Sequence, residues 1–142
     1  MSAAFVDTFF WVALANPRDQ WHAAAQRAEQ SVGTRTLVTT DEVLTEFLTF
    51  FSRLGPHLRE SAARLARAVL VSPQVTVLPQ SRDSFLAGLL LYEARMDKAY
   101  SLTDCISMEA MRRQKIDEIL TYDQHFAQEG FRLLLTSPVP SP

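Results

Sequence analysis

Four carboxylates in this chain have types and spacings that suit metal chemistry. They are Asp7, Glu46, Asp104 and Asp123. Asp7 follows the apolar run at residues 3–6, and Asp123 follows the run at residues 119–122, and both runs are typical of buried strands. The carboxyl ends of parallel strands meet at one edge of a sheet, where ligands bind. Clustered oxygen ligands favour hard cations, so the sequence predicts a Mg²⁺ or Mn²⁺ site.

Three of these carboxylates also have an ordinary structural explanation. Asp7 and Asp123 each precede a short predicted helix, and Asp is a favoured N-cap residue. Asp104 falls in the first turn of another predicted helix, which either Ser101 or Thr103 can cap, and its charge suits the positive end of the helix dipole. Capping explains each side chain taken singly. The prediction of a site therefore rests on two strands that end in Asp at the same edge.

Glu46 is the carboxylate that helix capping explains least well. In the predicted helix at residues 41–54, the spacing of Thr39 and Glu42 fits a capping box, which gives Glu42 a structural role. Glu46 lies one turn further on, at the edge of the apolar face, so it is expected to point towards the rim of the core. An ion pair with Arg53 is the alternative to a functional role.

Composition limits the classes of protein to which the chain can belong. Its 142 residues are 47% hydrophobic and 21% charged, which is typical of one globular domain with its own core. The net charge of −2 is too low for binding nucleic acid by bulk charge, so RNA would need a local patch, a metal or a partner. The single cysteine, Cys105, indicates a reducing compartment and is expected to pack in the core.

Motifs for other chemistry are absent from the sequence. There is no Gly-rich phosphate loop, no HExxH and no GxSxG. The histidines, His22, His57 and His125, are scattered, and only His125 stands near one of the four carboxylates. An aspartyl phosphatase would carry a second Asp where Phe9 stands. A receiver domain would place a Lys after a late strand, whereas Lys115 precedes one.

Strands and helices are predicted to alternate along the chain. The predicted strands cover residues 3–6, 37–40, 75–78, 119–122 and 131–135. The predicted helices cover residues 8–15, 19–30, 41–54, 58–71, 84–95 and 104–113, with a short turn of helix after Asp123. This alternation predicts a three-layer α/β/α fold, in which helices cover both faces of a parallel sheet of about five strands.

The N-terminal segment does not have the pattern of a targeting sequence. Its apolar stretch lacks a basic start and is interrupted by Asp7, which argues against a signal peptide. No apolar run reaches the roughly 18 residues needed to cross a membrane. We therefore expect a soluble, cytoplasmic protein with one domain at residues 1–136 and a Pro-rich tail at residues 137–142.

A family resemblance is carried by four segments, which follow one another as FVDTFFWVALAN, LVTTDEVLTEFLTF, DKAYSLTDCISMEAM and ILTYDQHFAQEGF. Together they resemble PIN-domain nucleases, in particular the VapC-like toxins of bacterial toxin–antitoxin pairs, over nearly the whole chain. The resemblance implies a metal site formed by Asp7, Glu46, Asp104 and Asp123. Asp7 and Asp104 would be the principal ligands, and Thr8 and Thr103 supporting hydroxyls. Family members often carry Ser where this chain has Phe9.

The resemblance implies hydrolysis of RNA phosphodiester bonds with Mg²⁺ or Mn²⁺. It also implies a small cognate antitoxin, which commonly places a basic side chain in the acidic site, and a homodimer. Arg112, Arg113 and Lys115 can guide phosphates, although a solvated helix end is the preferred explanation for each. An active ribonuclease toxin and a non-catalytic PIN-like module that binds RNA or protein remain as hypotheses, and the four intact carboxylates favour the first.

Overall fold

Five parallel strands form the centre of the fold. The structure, a computed structural model, describes residues 2–139. Within that range the strands are β1 (Ala4–Val6), β2 (Leu37–Thr40), β3 (Val75–Leu78), β4 (Glu118–Leu120) and β5 (Arg132–Leu133). Their order is β3-β2-β1-β4-β5, and every neighbouring pair is parallel. The predicted five-strand sheet is confirmed, whereas residues 140–142 of the predicted tail lie outside the described residues.

Helices flank the sheet and complete the predicted three layers. Between residues 2 and 139 they are α1 (Thr8–Ala15), α2 (His22–Val32), α3 (Asp41–Phe51), α4 (Pro56–Val71), α5 (Arg82–Ala94), α6 (Leu102–Gln114) and α7 (Gln124–Gln128). Among the described residues, none of these helices is both long and apolar enough to cross a membrane.

The chain reverses its direction of travel across the sheet at β1. From β1 it moves outward through β2 to β3, then returns to β4 on the other side of β1 and continues to β5. The register pairs Val6 with Leu120, and the Asp7 amide donates to the Leu120 carbonyl at 3.3 Å. Asp7 and Thr121 therefore leave the sheet side by side. Such a switch point is where α/β sheets bind ligands.

A small residue brings helix α5 close to α6. A Cβ atom on Gly88 of α5 would lie 2.4 Å from the Ile106 Cγ1 atom of α6 and 3.1 Å from the Ile106 backbone nitrogen. Cys105 and Met108 of α6 are fully buried in the core, as predicted for Cys105. This packing fixes the position of α6, whose first turn carries Asp104.

Several element ends differ from the sequence prediction. Strand β4 ends at Leu120, two residues before the predicted end at residue 122. The next residue, Thr121, uses its hydroxyl to bond Asp7 and the Asp123 amide. Helix α3 ends at Phe51 instead of residue 54, because the amide and hydroxyl of Ser52 both donate to the Thr49 carbonyl. Most other ends are displaced by one to three residues, which leaves the order of elements unchanged.

Candidate active site

Asp7 is a buried carboxylate with one oxygen left without a protein partner. It stands at the N-cap position of α1, but its side chain makes no capping hydrogen bond, so the capping explanation is wrong. Only 1% of the residue is exposed. Its Oδ2 atom accepts a hydrogen bond from the Thr121 hydroxyl at 2.9 Å, whereas Oδ1 has no partner among residues 2–139. A buried carboxylate oxygen without a partner is costly, and a bound cation would remove that cost.

The surroundings of Asp7 disfavour its charged form. Burial, followed by the charge of Asp104, raises the pKa of Asp7 from 3.8 to about 8, and the charge of Glu46 adds to the rise. These are the effects expected when carboxylates are gathered in a poorly hydrated place. At neutral pH a metal-free site therefore holds a proton on Asp7, which a cation would displace.

Asp104 is held in the first turn of α6 by a capping box. The Ser101 hydroxyl accepts a hydrogen bond from the Asp104 amide at 3.0 Å, and the Asp104 Oδ2 atom accepts one from the Ser101 amide at 3.1 Å. Ser101, and not Thr103, is thus the cap. The capping explanation holds for Asp104, yet burial, together with the charges of Asp123 and Glu46, raises its pKa. Its carboxylate therefore belongs with that of Asp7, and we call the carboxylates of Asp7, Asp104 and Asp123 the acidic group.

Asp123 and His125 converge on Asp104. The Asp123 Oδ1 atom caps α7 by accepting from the His125 amide at 3.0 Å. The His125 Nδ1 atom lies 3.4 Å from the Asp104 Oδ2 atom and 3.4 Å from the Asp123 Oδ1 atom. One potential ligand atom from each of the three residues falls within 4.8 Å of the others. Of the three histidines, His125 is the one near the acidic group, as its place in the sequence indicated.

Thr121 is a site residue that sequence analysis missed. Its buried hydroxyl donates to Asp7 and accepts from the Asp123 amide at 3.1 Å, so it joins the ends of β1 and β4. In the sequence it stands inside the run ILTY, a pattern that predicts strand throughout. The signal available was a hydroxyl residue in an apolar strand, placed two residues before an Asp.

Glu46 lies at the side of the acidic group. It is partly buried on α3 and, with Thr103, lines a groove between α3 and α6. Its charge acts on both Asp7 and Asp104, but its carboxylate does not join the three groups that converge. Among the described residues it has no ion-pair partner, so the proposed pairing with Arg53 is not found.

The capping box predicted for α3 is wrong. Thr40 is the N-cap, and its hydroxyl accepts from the Val43 amide at 3.0 Å. The Thr39 hydroxyl instead donates to the carbonyl of Val6. Glu42 accepts a hydrogen bond from the Ser84 hydroxyl at 2.9 Å and so ties α3 to α5. Glu42 keeps a structural role, but by a different contact.

The two predicted supporting hydroxyls occupy different surroundings. Thr8 is buried, and its hydroxyl oxygen has no hydrogen-bond partner among residues 2–139. Thr103 is half-buried and faces the groove that Glu46 also lines. Neither hydroxyl bonds to a site carboxylate within the part of the chain that the structure describes.

The basic residues at the end of α6 are far from the acidic group. Arg112 is eight residues beyond Asp104, which is about 12 Å along a helix axis. Its guanidinium bonds Glu109 at 3.2 Å and Glu129 at 2.8 Å. Arg113 and Lys115 lie at the same end of the helix. These residues are therefore better explained as cations at the end of a helix than as residues that guide phosphates to the site.

The donor set fits a small divalent cation. Carboxylate oxygens from Asp7, Asp104 and Asp123 are the ligands that Mg²⁺ and Mn²⁺ prefer, and imidazole nitrogen is compatible with Mn²⁺. A cation bound here would give the Oδ1 atom of Asp7 a partner, and it would offset the burial and the mutual repulsion that raise the pKa values of Asp7 and Asp104. The same arrangement is suited to activating water next to a phosphate.

Known proteins resemble this chain over almost its whole length. The PIN domain family matches residues 4–131. The chain is 31% identical over 127 residues to the 23S rRNA-specific endonuclease VapC20 of Mycobacterium tuberculosis, from strains CDC 1551 and H37Rv alike. The match covers 89% of this chain and 94% of that protein. The match to the PIN domain family, at residues 4–131, includes Asp7, Glu46, Asp104 and Asp123.

A solved structure shows the same fold. The crystal structure of Mycobacterium tuberculosis VapC20, described as a sarcin–ricin loop cleaving toxin, matches with a TM-score of 0.82 at 29% sequence identity. The match covers 92% of this chain and 96% of that chain. The three-layer arrangement predicted from the sequence is thus shared with this solved structure.

Proposed function

Because this chain belongs to the PIN-domain family, and within it to the VapC-like proteins, we propose that it is a metal-dependent endoribonuclease and the toxin of a toxin–antitoxin pair. The observation that carries the proposal is the convergence of Asp104 and Asp123 beside the buried, partly unpartnered carboxylate of Asp7. A module that only binds RNA has no use for carboxylates kept together at such an electrostatic cost.

The proposed substrate is RNA, with 23S rRNA as the first target to examine. The support for this target is the activity named for the relative, VapC20, which is a 23S rRNA-specific endonuclease. The acidic group of this chain would repel the RNA backbone when metal-free, so cleavage should depend on a divalent ion.

Asp7 and Asp104 would be the principal ligands of the ion, and Glu46 and Asp123 would act directly or through water, with Asp123 converging on Asp104. When bound, Mg²⁺ or Mn²⁺ lowers the pKa of a water molecule and neutralises charge that develops on the phosphate. Thr121 fixes Asp7 by donating to its Oδ2 atom, and the Oδ1 atom has no partner in the part of the chain that the structure describes.

Two hydrogen-bonded contacts orient the remaining carboxylates. The Ser101 amide holds the Asp104 Oδ2 atom, and the His125 amide holds the Asp123 Oδ1 atom. The His125 ring stands 3.4 Å from both carboxylates, where an Nδ1–H group would donate to either one. Fixed orientations of this kind lower the cost of reorganisation when charge develops in the transition state.

A cleavage assay tests the proposed function. Purified protein is incubated with 23S rRNA and with unrelated RNAs in Mg²⁺, in Mn²⁺ and in chelator. We expect cleavage with either metal, none in chelator, and a loss of about a hundredfold or more in Asp104→Asn. The matched control is Glu93→Gln, which changes an exposed carboxylate on α5 and should cleave like the wild type. Equal cleavage by Asp104→Asn would place the activity elsewhere or in a contaminant.

We further propose an antitoxin partner and a homodimer. The antitoxin follows from the VapC-like family, and a basic side chain would suit the acidic group. The homodimer is supported by large apolar side chains that remain exposed, such as Phe50 of α3 at 47% and Leu90 of α5 at 69%. By contrast Phe47 and Phe51 of α3 are fully buried in the core. Sedimentation of the purified chain distinguishes a dimer from a monomer.

We keep residue 136 as the proposed end of the PIN-like domain, with the Pro-rich tail at residues 137–142. Support comes from Leu135, which is 3% exposed and belongs to the core, whereas Thr136 and Ser137 are exposed. The family match ends at residue 131, shortly before this point.

A further inference from the structure

Three aromatic residues, Phe9, Tyr122 and Trp21, form a cluster beside the acidic group, which we call the aromatic cluster. The Tyr122 and Trp21 rings are stacked, with centroids 4.3 Å apart and an angle of 8° between the planes. The Phe9 and Tyr122 centroids are 5.5 Å apart at 34°. All three residues are half-buried, so part of each remains open to solvent.

The chain itself ties this cluster to the acidic group. Phe9 lies in the first turn of α1, two residues after Asp7, and Tyr122 stands between Thr121 and Asp123. Burial and the charges of Asp19, Asp7 and Asp123 together raise the pKa of Tyr122 to about 12. Two of the three rings thus stand on the segments that carry Asp7 and Asp123, and the Tyr122 ring lies close enough to both carboxylates to feel their charge.

The acidic group alone offers RNA no attachment. The net charge of the chain is −2, and the Arg112 guanidinium at the far end of α6 is engaged by Glu109 and Glu129. Unpaired nucleobases bind proteins largely by stacking on aromatic rings, which needs neither positive charge nor base pairing. The aromatic cluster supplies rings of that kind next to the carboxylates.

We propose that the aromatic cluster stacks an unpaired nucleobase next to the phosphate that is cleaved, and so positions single-stranded RNA over the carboxylates. This inference rests on the proposed ribonuclease function. Phe9 is the ring assigned to the base, because it contacts Tyr122 from the first turn of α1 and is not among the residues packed against the main core. Trp21 and Tyr122 do pack against that core, and Tyr122, which is stacked on Trp21, contacts the Phe9 ring.

A binding experiment tests the stacking. The background is the full-length protein with its carboxylates intact, in Ca²⁺ instead of Mg²⁺, because Ca²⁺ takes the same oxygen ligands but supports hydrolysis poorly, so that RNA is not consumed. The probe is a short unpaired RNA that carries the fluorescent base 2-aminopurine, whose emission is quenched when it stacks. Phe9→Leu keeps an apolar side chain against Tyr122 but removes the ring, and Phe9→Tyr keeps the ring. Thermal unfolding of each variant checks that the fold is retained.

We expect Phe9→Leu to weaken binding about tenfold and to abolish the quenching, whereas Phe9→Tyr retains both. The same RNA annealed to its complement should bind more weakly than the unpaired form. Equal affinity and equal quenching in Phe9→Leu and the parent would overturn the inference, as would an absence of RNA binding by every variant.

Cleavage by the wild type, measured in parallel, separates this inference from the proposed function. If the wild type cleaves RNA while Phe9→Leu binds the probe like its parent, the ribonuclease function stands and the stacking role is wrong. If the wild type fails to cleave while Phe9→Leu loses binding and quenching, Phe9 does stack a base, but the ribonuclease function is wrong and with it the positioning of a phosphate for cleavage.

Discussion

Asp7 is a carboxyl group whose burial makes its charged form unfavourable. It is buried at the end of a strand, one of its oxygens has no partner among the described residues, and burial raises its pKa to about 8. Helix capping does not explain Asp7. An Asp at an N-cap stabilises the helix by accepting a hydrogen bond from a backbone amide, and the Asp7 side chain accepts no such bond. A bound cation would stabilise the charged form of Asp7 in these surroundings.

Replacing Asp7 should change how stability depends on pH. In the metal-free wild type, Asp7 holds its proton up to about pH 8 when folded, but loses it above about pH 4 when unfolded. Its contribution to stability is therefore fully present below pH 4 and is lost as pH rises to 8. Asn does not ionise, so we expect the melting temperature of Asp7→Asn in chelator to fall less between pH 5 and pH 8 than that of the wild type.

Thermal unfolding at the two pH values measures this difference, with Asp117→Asn as the control at an exposed carboxylate. Adding Mg²⁺ at pH 8 should raise the melting temperature of the wild type more than that of Asp7→Asn. A wild type and an Asp7→Asn variant with the same pH dependence would show that Asp7 is not buried with a raised pKa.

At the scale of single residues, sequence analysis identified the acidic residues but not their supports. Asp7 and Asp123 are recognisable in the sequence because each follows an apolar run, and Asp104 because it begins a predicted helix. A carboxylate at such a place is costly unless it caps a helix or binds a partner. Thr121 did not stand out, because its role depends on β1 and β4 being neighbours, and that pairing joins residues far apart in the sequence. A hydrogen bond across such a distance leaves no local pattern.

At the scale of elements, the position of Asp104 depends on how closely α6 approaches α5. Gly88 permits that approach, since a Cβ there would meet both the side chain and the backbone of Ile106. Sequence analysis predicted both helices but not their contact. A glycine inside a helix usually lowers stability relative to alanine, and only the packing explains its presence here.

We therefore expect Gly88→Ala to destabilise the protein, by about 2 kcal/mol, against the gain of about 1 kcal/mol that alanine gives in an open helix. Denaturant unfolding measures the change in the free energy of unfolding. The matched control is the same substitution in an Ile106→Ala background, where the nearest clashing atom is gone and the cost should be smaller. A rise in stability on Gly88→Ala alone would contradict the close packing.

At the scale of the whole molecule, most of the fold could be predicted because strands and helices alternate with clear apolar runs. The layers, the parallel sheet and the edge that gathers the carboxylates all follow from that alternation. The ends of elements are predicted less accurately. Strand β4 stops at Leu120, after which the Thr121 hydroxyl bonds Asp7 and Asp123, and α3 stops at Phe51, after which the Ser52 amide and hydroxyl both donate to the Thr49 carbonyl. The strand order also gives the site its place, since it brings β1 and β4 together at the switch point.

The proposed function requires carboxylates from distant parts of the chain to hold one divalent cation at this switch point. The most direct measurement is the anomalous diffraction of crystals soaked in Mn²⁺, compared between the wild type and Asp104→Asn. We predict an anomalous peak between Asp104 and Asp123, within reach of Asp7, that is lost or much reduced in the variant. Wild-type crystals with no peak at this place, or with a peak only elsewhere on the molecule, would contradict the account.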